Sequence, residues 1–266
     1  MATSLSDAGL QFANGSVQSR LLSNYIAGLT MSTVGASATM SIAAGQCVDS
    51  TNLQLMVLAN ASKTTASWAV GAAGGLDTGV IANSTWYHFY VIHRPDTNLV
   101  DCVFSINATT PALPSGYTKF RRVGAGRTDA SAQWTKFFQS NDTFVWNIPV
   151  NTVNVSNPGT AAVLATVQTP LGITTTANIT ALVNNGTSAN VIAYISDPAT
   201  TDSIPDGITF FQVFTSLPGV SNVATASISI RTNTASQIRY RLSVSGAADL
   251  IRIVTNGWVD TRGADA

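Results

Sequence analysis

The sequence predicts an all-β protein with two antiparallel, jelly-roll-like β-sandwich domains and an N-terminal hairpin arm. Several segments alternate apolar and polar residues with period two, which is the pattern of half-buried strands. Asn, Asp, Gly and Pro separate these segments at short intervals, and no segment carries the apolar stripe of a helix. At 266 residues the chain is long enough for two domains of ordinary size. We place the arm at residues 1–28, an aromatic-rich sandwich at 29–146 and a Val/Ile/Thr-rich sandwich at 147–266.

The arm is predicted from residues 10–18, Leu-Gln-Phe-Ala-Asn-Gly-Ser-Val-Gln. Asn14-Gly15 between two short β-prone segments is a strong signal for a two-residue hairpin turn. A small terminal hairpin buries little surface by itself, so we expect it to pack on something else.

The first sandwich is organised around an aromatic hairpin. Residues 86–93 and 99–106 are rich in aromatic and β-branched residues and flank the turn Arg94-Pro95-Asp96, which predicts two paired strands. Apolar residues alternate with Thr, Ser and Gly over residues 33–42, which predicts another strand, and Gly71–Gly75 is predicted to be a flexible loop. Further strands are predicted at 53–59, 67–70, 78–82, 117–123, 133–139 and 143–146.

The second sandwich follows a change of composition after Trp146, where Val, Ile, Thr and Ala replace the aromatic residues. The junction is predicted at Asn147-Ile148-Pro149, as a short linker. Turn sequences such as Asn157-Pro-Gly divide the rest of the chain into short segments. Strands are predicted at 150–155, 161–167, 173–183, 191–195, 208–214, 223–230, 237–244 and 250–254.

The composition favours sheets that pack on neighbouring subunits. Charged residues make up 10% of the chain, against roughly a quarter in ordinary soluble domains, and glutamate is absent. The formal net charge of zero gives no long-range attraction to nucleic acid or to an anionic membrane, and it permits self-association. Since no apolar stretch reaches the length of a membrane helix and no secretion signal is recognised, membrane insertion is not expected. Cys102, between apolar neighbours, is predicted to be a buried free thiol rather than half of a disulfide with Cys47.

The basic residues are concentrated in one stretch, at Lys119, Arg121, Arg122, Arg127 and Lys136. Arginine binds carboxylates and phosphates in bidentate geometry, so these residues are candidates for contact with a protein partner or an anionic glycan. The alternative is a solvated strand surface balanced by neighbouring aspartates, and strand alternation puts Arg121 and Arg122 on opposite faces. Most tryptophans are expected in the core, with Trp68, beside the glycine loop, the best candidate for stacking on a sugar.

Two sets of residues raise the question of a metal ion. His88 and His93 are five positions apart on one predicted strand, which sends their side chains to opposite faces, so ordinary histidines of the core or its rim, without a metal, are expected. Asp197, Asp202 and Asp206 lie in a loop with proline and glycine, and their oxygens are of the type that calcium binds. Their spacing differs from that of a calcium loop, so we expect aspartates that stabilise turns, with metal binding by this loop left open.

The sequence predicts no enzymatic activity and no cofactor. It lacks a serine elbow, a His-Glu-x-x-His motif, a phosphate-binding glycine loop and a Cys-x-x-Cys pair. The paired acids of a glycosidase would have to be aspartates, and nearly all of these lie in turns.

Three segments carry a resemblance to known proteins. The opening GLQFANGSVQS resembles a glycine-containing hairpin segment of tailed-bacteriophage fibre and appendage proteins. Residues 83–146 resemble a β-domain found near the C-termini of phage and prophage structural proteins, and Asn256-Gly-Trp-Val-Asp-Thr-Arg-Gly263 is similar to the endings of that group. The resemblance implies a virion protein, assembled as a homotrimer in the host cytoplasm, and it implies no catalytic residues.

We therefore expect a non-enzymatic phage structural subunit of the tail-fibre or spike type that contacts the host surface, with a surface glycan as one potential ligand. The alternative is a head decoration protein that stabilises the capsid lattice. In either case the expected partners are copies of the chain itself and other tail or capsid proteins.

Overall fold

The computed structural model describes residues 23–186, 190–206, 208, 213–214 and 222–264, together with the backbone of three short strands before residue 19. Every regular element in these residues is a β-strand, so the all-β prediction is confirmed. The strands are β1 (Ser4–Ser6), β2 (Gly9–Gln11), β3 (Val17–Gln18), β4 (Ile26–Gly28), β5 (Met31–Ser32), β6 (Thr39–Ile42), β7 (Gly45–Val48), β8 (Leu55–Leu58), β9 (Ala61–Ser67), β10 (Gly74–Leu76), β11 (Trp86–Arg94), β12 (Leu99–Ser105), β13 (Lys119–Arg127), β14 (Phe137–Ser140), β15 (Thr143–Ser156), β16 (Val163–Thr166), β17 (Thr176–Asn185), β18 (Ile192–Ser196), β19 (Val213–Phe214), β20 (Asn222–Arg231), β21 (Gln237–Leu242) and β22 (Leu250–Val259).

The chain forms two compact units. Unit 1 comprises Met1–Thr135 together with Thr261–Ala266, and unit 2 comprises Lys136–Asp260. The sequence suggested a linker at 147–149, but these residues continue strand β15 without a break. Because β15 pairs with β14 on one side and with β22 on the other, it is held in the sheet of unit 2 over most of its length.

The N-terminal segment forms its own small sheet. Strand β2 pairs antiparallel with both β1 and β3. The predicted turn at Asn14-Gly15 lies outside the described residues.

Unit 1 contains a seven-stranded sheet and a three-stranded sheet. The larger has the order β13-β11-β12-β10-β9-β6-β5, and the smaller has the order β4-β7-β8. The aromatic hairpin of β11 and β12 pairs in register from His88–Ser105 to Arg94–Leu99. Strand β10 runs parallel to both of its neighbours, whereas the other pairings in this sheet are antiparallel.

Both faces of β11 are buried, which explains its unbroken apolar sequence. On one face Phe89 joins Phe104 and Trp134 in a cluster of rings whose centroids are 5.1–5.2 Å apart. On the other face Tyr90 packs in a second apolar cluster with Val103 and Tyr117. A strand covered on both faces reads as a continuous apolar run rather than an alternating one.

Unit 2 is a β-sandwich. One sheet has the order β14-β15-β22-β17-β20 and the other has the order β16-β21-β18-β19. Strand β17 alternates strictly: Ala177, Ile179, Ala181 and Val183 are buried while the residues between them are partly exposed. These side chains meet Ile195, Ile238, Leu242 and other apolar residues of the opposing sheet in one core, as expected for the inner faces of a sandwich.

Some strands differ from the sequence prediction. The alternation at 33–42 yields strand structure only over Thr39–Ile42, and the predicted strand at 67–70 begins where β9 ends. Part of the predicted flexible loop, Gly74–Leu76, is a fully buried strand. A Cβ on Gly75 would lie 2.7 Å from both the Lys63 Cβ and the Phe104 ring, so glycine here permits close packing rather than flexibility.

Candidate functional site

The predicted basic cluster is divided among separate local structures. Lys119 lies at the start of β13, where its ammonium nitrogen is 3.4 Å from a carboxylate oxygen of Asp49. Arg121 is 5% exposed and donates hydrogen bonds to the Asn24 side chain at 3.1 Å and to the Gly263 carbonyl at 2.6 Å. Burial lowers the pKa of Arg121. Arg121 therefore holds two backbone segments of unit 1 together instead of facing a partner.

The remaining predicted contact residues also have local roles. Arg127 donates a hydrogen bond to the carbonyl of the neighbouring Thr128, and its pKa is lowered by burial. Lys136 belongs to unit 2, where its ammonium lies 5.4 Å from the centre of the Phe138 ring. Trp68 is half-buried: its indole N–H donates to the Cys102 carbonyl at 2.9 Å, and its ring packs edge-on against Tyr117. A tryptophan held in this way offers little open surface to a sugar.

Beneath Trp68 lies an ion pair that the sequence did not suggest. Lys63 is fully buried, and its ammonium donates to the carbonyls of Ala69 and Gly71 and to the carboxylate of Asp101, at 2.8, 2.8 and 3.0 Å. All three ammonium N–H groups are thereby used. Asp101 also accepts from the backbone N–H of Gly71 at 3.0 Å. The pair fixes the chain between β9 and β10, so it has a structural role.

Asp49 is a second buried acid. Burial by itself would raise its pKa, but hydrogen bonds from Thr51, Gln54 and Leu53, with Lys119 nearby, lower the pKa below the ordinary value of a carboxyl. Its oxygens accept from the backbone N–H groups of Leu53 and Gln54 at 2.7 and 2.8 Å, so the carboxylate organises the turn before β8.

Both histidines lie on strand β11, and each contacts a different partner. His88 is buried, and its Nδ1 accepts a hydrogen bond from the Arg122 Nε at 3.0 Å. His93 is also buried, and its Nε2 lies 3.0 Å from the Asn98 side-chain oxygen. Within the described residues, no three His, Cys, Asp or Glu side chains are grouped as a metal site would require.

The aspartate loop of unit 2 lies over strand β21. Asp202 forms an ion pair with Arg241, and its other oxygen is 3.6 Å from the Nε of Arg239. Arg239 also donates to Ser196 and to Thr200. A concavity of about 510 Å³ beside this network is lined by Leu164, Pro198, Ala199, Asn233 and other residues. Because its polar groups are largely used in bonds within the protein, the network anchors the loop.

Asp197 and Asp206 have turn roles. Asp197 accepts from the Ala199 N–H at 2.8 Å, and Asp206 accepts from the Ile208 N–H at 2.9 Å. These are hydrogen bonds by which aspartate stabilises its own turn. Both cysteines are buried free thiols, as predicted for Cys102. Burial raises the pKa of Cys47 to about 12 and raises that of Cys102 as well, so neither thiol has nucleophilic character at neutral pH.

The broadest candidate surface is the outward side of the five-stranded sheet of unit 2, which we call the hydroxyl face. Two rows of side chains cross four of its strands in register. The first row is Asn154, Arg252, Leu182 and Thr225, and the second is Asn151, Val254, Thr180 and Ser227. Arg252 is the one charged residue in these rows, and its Nε donates to the Asn154 side chain at 3.2 Å.

Polar groups on the hydroxyl face bond to one another. Ser229 donates to the Asn178 side chain at 2.8 Å, and the Asn256 amide donates to the Thr180 hydroxyl at 2.9 Å. The two rows therefore consist of hydroxyl, amide and apolar side chains with Arg252 as the one charge, and some of the polar groups on the face are already hydrogen-bonded to one another. The low charge content of this surface is visible in the sequence, but the surface itself is not, because only the pairing register brings these residues into common rows.

The C-terminal segment that resembles phage protein endings has a packing role in each unit. Trp258 is fully buried and stacks on Phe144 with ring centres 4.9 Å apart. A Cβ on Gly257 would lie 2.1 Å from the Phe144 carbonyl oxygen. Beyond the strand, Arg262 donates to the Gly28 carbonyl at 3.3 Å. These residues therefore stabilise the fold.

Comparison with known proteins found neither a protein-family model nor a curated protein that matches the chain. Among the residues that the structure describes, no helix is long and apolar enough to cross a membrane.

Proposed function

We propose that the chain is a non-enzymatic structural subunit of a phage virion, of the tail-fibre or spike type, and that the hydroxyl face packs against other virion subunits. The observation that carries this proposal is the pair of rows on that face, in which Arg252 is the one charged residue among eight. The resemblance of three sequence segments to phage structural proteins supports the same function.

The physical reason is the low cost of desolvating such a face. A buried charge that loses water without gaining a partner destabilises an interface by several kcal/mol, whereas hydroxyl and amide groups re-pair with comparable groups across the contact. On the hydroxyl face, some polar groups already have hydrogen-bond partners within the face, because Ser229 bonds to Asn178 and Asn256 bonds to Thr180. A face with few charges suits close packing against another sheet.

The internal use of charged groups agrees with a structural role. Three cationic residues are buried and donate their hydrogen bonds to backbone carbonyls or neighbouring side chains: Lys63, Arg121 and Arg239. Such bonds fix loops on the scaffold. These three cations therefore stabilise the fold.

The test is incorporation of variants into phage particles. Thr180→Lys places a charge at the centre of the hydroxyl face, and we expect incorporation to fall at least about tenfold, since an unpaired interfacial charge costs more than about 1.4 kcal/mol. Asn83→Lys, in an exposed segment of unit 1, is the matched control and is expected to be incorporated normally. Particles that accept both variants equally would contradict docking through this face.

Contact with the host surface is tested separately. Purified protein of the fibre or spike type is expected to bind host cells and to compete with the phage for adsorption. Failure to bind, together with attachment to emptied heads, would favour the decoration function instead.

A further inference from the structure

Strand β20 is an unusual sheet edge. It lies at the end of the five-stranded sheet and pairs with β17 over ten residues without a register shift. The other described edge strands have four residues or fewer, except β13, whose pairing contains an irregularity. Its sequence, Asn-Val-Ala-Thr-Ala-Ser-Ile-Ser-Ile-Arg, has no Lys, Pro or Gly. Proteins ordinarily protect a long flat edge with such features, because an open edge accepts another strand.

The pairing with β17 determines which backbone groups face away from the sheet. The Thr232 N–H donates to the Thr175 carbonyl at 2.8 Å, and this pair continues the β17–β20 register. In an antiparallel ladder the bonded residues alternate, so the even-numbered residues of β20 bond to β17. The N–H and C=O groups that face outward therefore belong to Val223, Thr225, Ser227, Ser229 and Arg231.

The side chains along this edge are accessible. Thr225, Ser227 and Ser229 are exposed on the hydroxyl face. On the inner side Ala224, Ala226 and Ile230 pack against the core but remain partly exposed. The core of the sandwich is thus incompletely covered where the sheet ends, and an additional strand would complete it.

We propose that β20 pairs antiparallel with β20 of a second copy of this chain, about a two-fold axis through Ser227. In this register small side chains lie opposite large ones on the inner side, and hydroxyls lie opposite hydroxyls on the outer side. The opposed residues are Ala224 with Ile230, Ala226 with Ile228, Thr225 with Ser229, Val223 with Arg231, and Ser227 with its own equivalent.

The register also satisfies the backbone. Each outward-facing residue lies opposite another outward-facing residue, so the two strands exchange roughly ten hydrogen bonds over their length. Arg231, the one charged residue of the strand, meets an apolar residue rather than a like charge, so no repulsion opposes the contact. A strand of different sequence would lose the match of alanine with isoleucine, and a second copy is therefore the fitting occupant.

This contact goes beyond the proposed function, because it is a property of the purified chain and requires neither a host nor a particle. It links two copies edge to edge and leaves the hydroxyl face continuous across the joined sheets. The product would be a dimer of chains, or two larger rings of chains joined to each other through β20.

The experiment is sedimentation equilibrium of the purified full chain, whose monomer mass is 27.7 kDa. We expect an assembly with an even number of copies. Ser227→Pro removes an outward N–H that β17 does not use, and proline is tolerated at such edge positions. Because two symmetry-related bonds are lost, the dissociation constant for the two halves is expected to rise about 30-fold.

Charge substitutions give a second, independent readout. Ser227→Lys and Ser227→Asp each place like charges opposite one another at the axis, and each is expected to weaken association, while an equimolar mixture of the two is expected to restore it. Asn83→Lys, in an exposed segment of unit 1, is the control and is expected to leave association unchanged. A monomeric wild-type chain, or an assembly that none of the Ser227 variants weakens, would overturn the proposal. Loss of particle incorporation by Thr180→Lys with intact association would leave this pairing supported.

Discussion

The buried ion pair of Lys63 and Asp101 gives the sharpest prediction for the stability of unit 1. Lys63 is fully buried and Asp101 is 5% exposed, so neither charge is compensated by water when its partner is removed. Asp101→Leu leaves the ammonium with two carbonyl acceptors and no counter-charge. Breaking a buried pair from one side costs about 3–5 kcal/mol, and we expect the free energy of unfolding of unit 1 to fall by that amount.

The opposite truncation is expected to cost less. Lys63→Met leaves the Asp101 carboxylate with two backbone donors, the N–H groups of Gly71 and Cys102 at 3.0 and 2.7 Å. Hydrogen bonds of this kind to a charged group offset part of the desolvation penalty, so a loss of about 1–3 kcal/mol is expected. The double variant carries two apolar groups and no buried charge, and it is expected to lie close to the wild type in stability.

The assay is urea unfolding of the four proteins, followed by the near-ultraviolet signal and by hydrogen exchange of residues 69–75. The two single variants and the double variant form a double-mutant cycle, which isolates the coupling between the side chains. The reasoning is refuted if Asp101→Leu costs less than about 1 kcal/mol, or if the double variant is less stable than both single variants.

Three further predictions follow from other buried groups. The pKa of Asp49 is lowered in the folded state. Its ionised carboxylate therefore adds to the free energy of unfolding above the unfolded carboxyl pKa of roughly 4, and this stabilisation is lost as the pH falls through the folded pKa. Asp49→Asn should therefore make stability fall less steeply as the pH is lowered. Cys47 and Cys102 should resist a thiol reagent at neutral pH until the chain is unfolded, and rapid labelling of the native protein would contradict their burial. Gly257→Ala should destabilise unit 2 by about 3 kcal/mol or prevent its folding, because the new methyl group would overlap the Phe144 carbonyl; thermal melting at the wild-type temperature would refute this.

Much of the fold could be predicted from local sequence patterns. The aromatic hairpin was predicted at 86–93 and 99–106 and is formed by β11 and β12 with nearly the same bounds. The predicted strands at 173–183 and 237–244 correspond to β17 and β21. These sequence patterns lie within single segments, so they predict a strand whatever the arrangement of the sheets.

The features that sequence analysis missed depend on contacts between distant residues. Lys63 and Asp101 are 38 positions apart, and nothing near either residue indicates that the two are buried together. Gly74 and Gly75 of strand β10 were predicted to belong to a flexible loop, but Gly75 is required by close packing against Lys63 and Phe104. Whether such residues are buried or form a strand depends on contacts with residues that are distant in the sequence.

The candidate site illustrates the same limit. The basic residues are close in sequence, but the strand pleat and the division between two units give each a separate environment: Arg121 is buried, Lys119 pairs with Asp49, and Lys136 lies over Phe138. Conversely, Thr180, Ser227 and Val254 are far apart in sequence and become neighbours only through the register of three strands.

The most direct test of the proposed function is the number of copies of this chain in purified, washed phage particles, measured by quantitative mass spectrometry against a labelled standard. A tail-fibre or spike subunit predicts a small, fixed number of copies per particle. Hundreds of copies would contradict the fibre function and favour head decoration, and absence of the chain from infectious particles would contradict the proposal that it is a virion subunit.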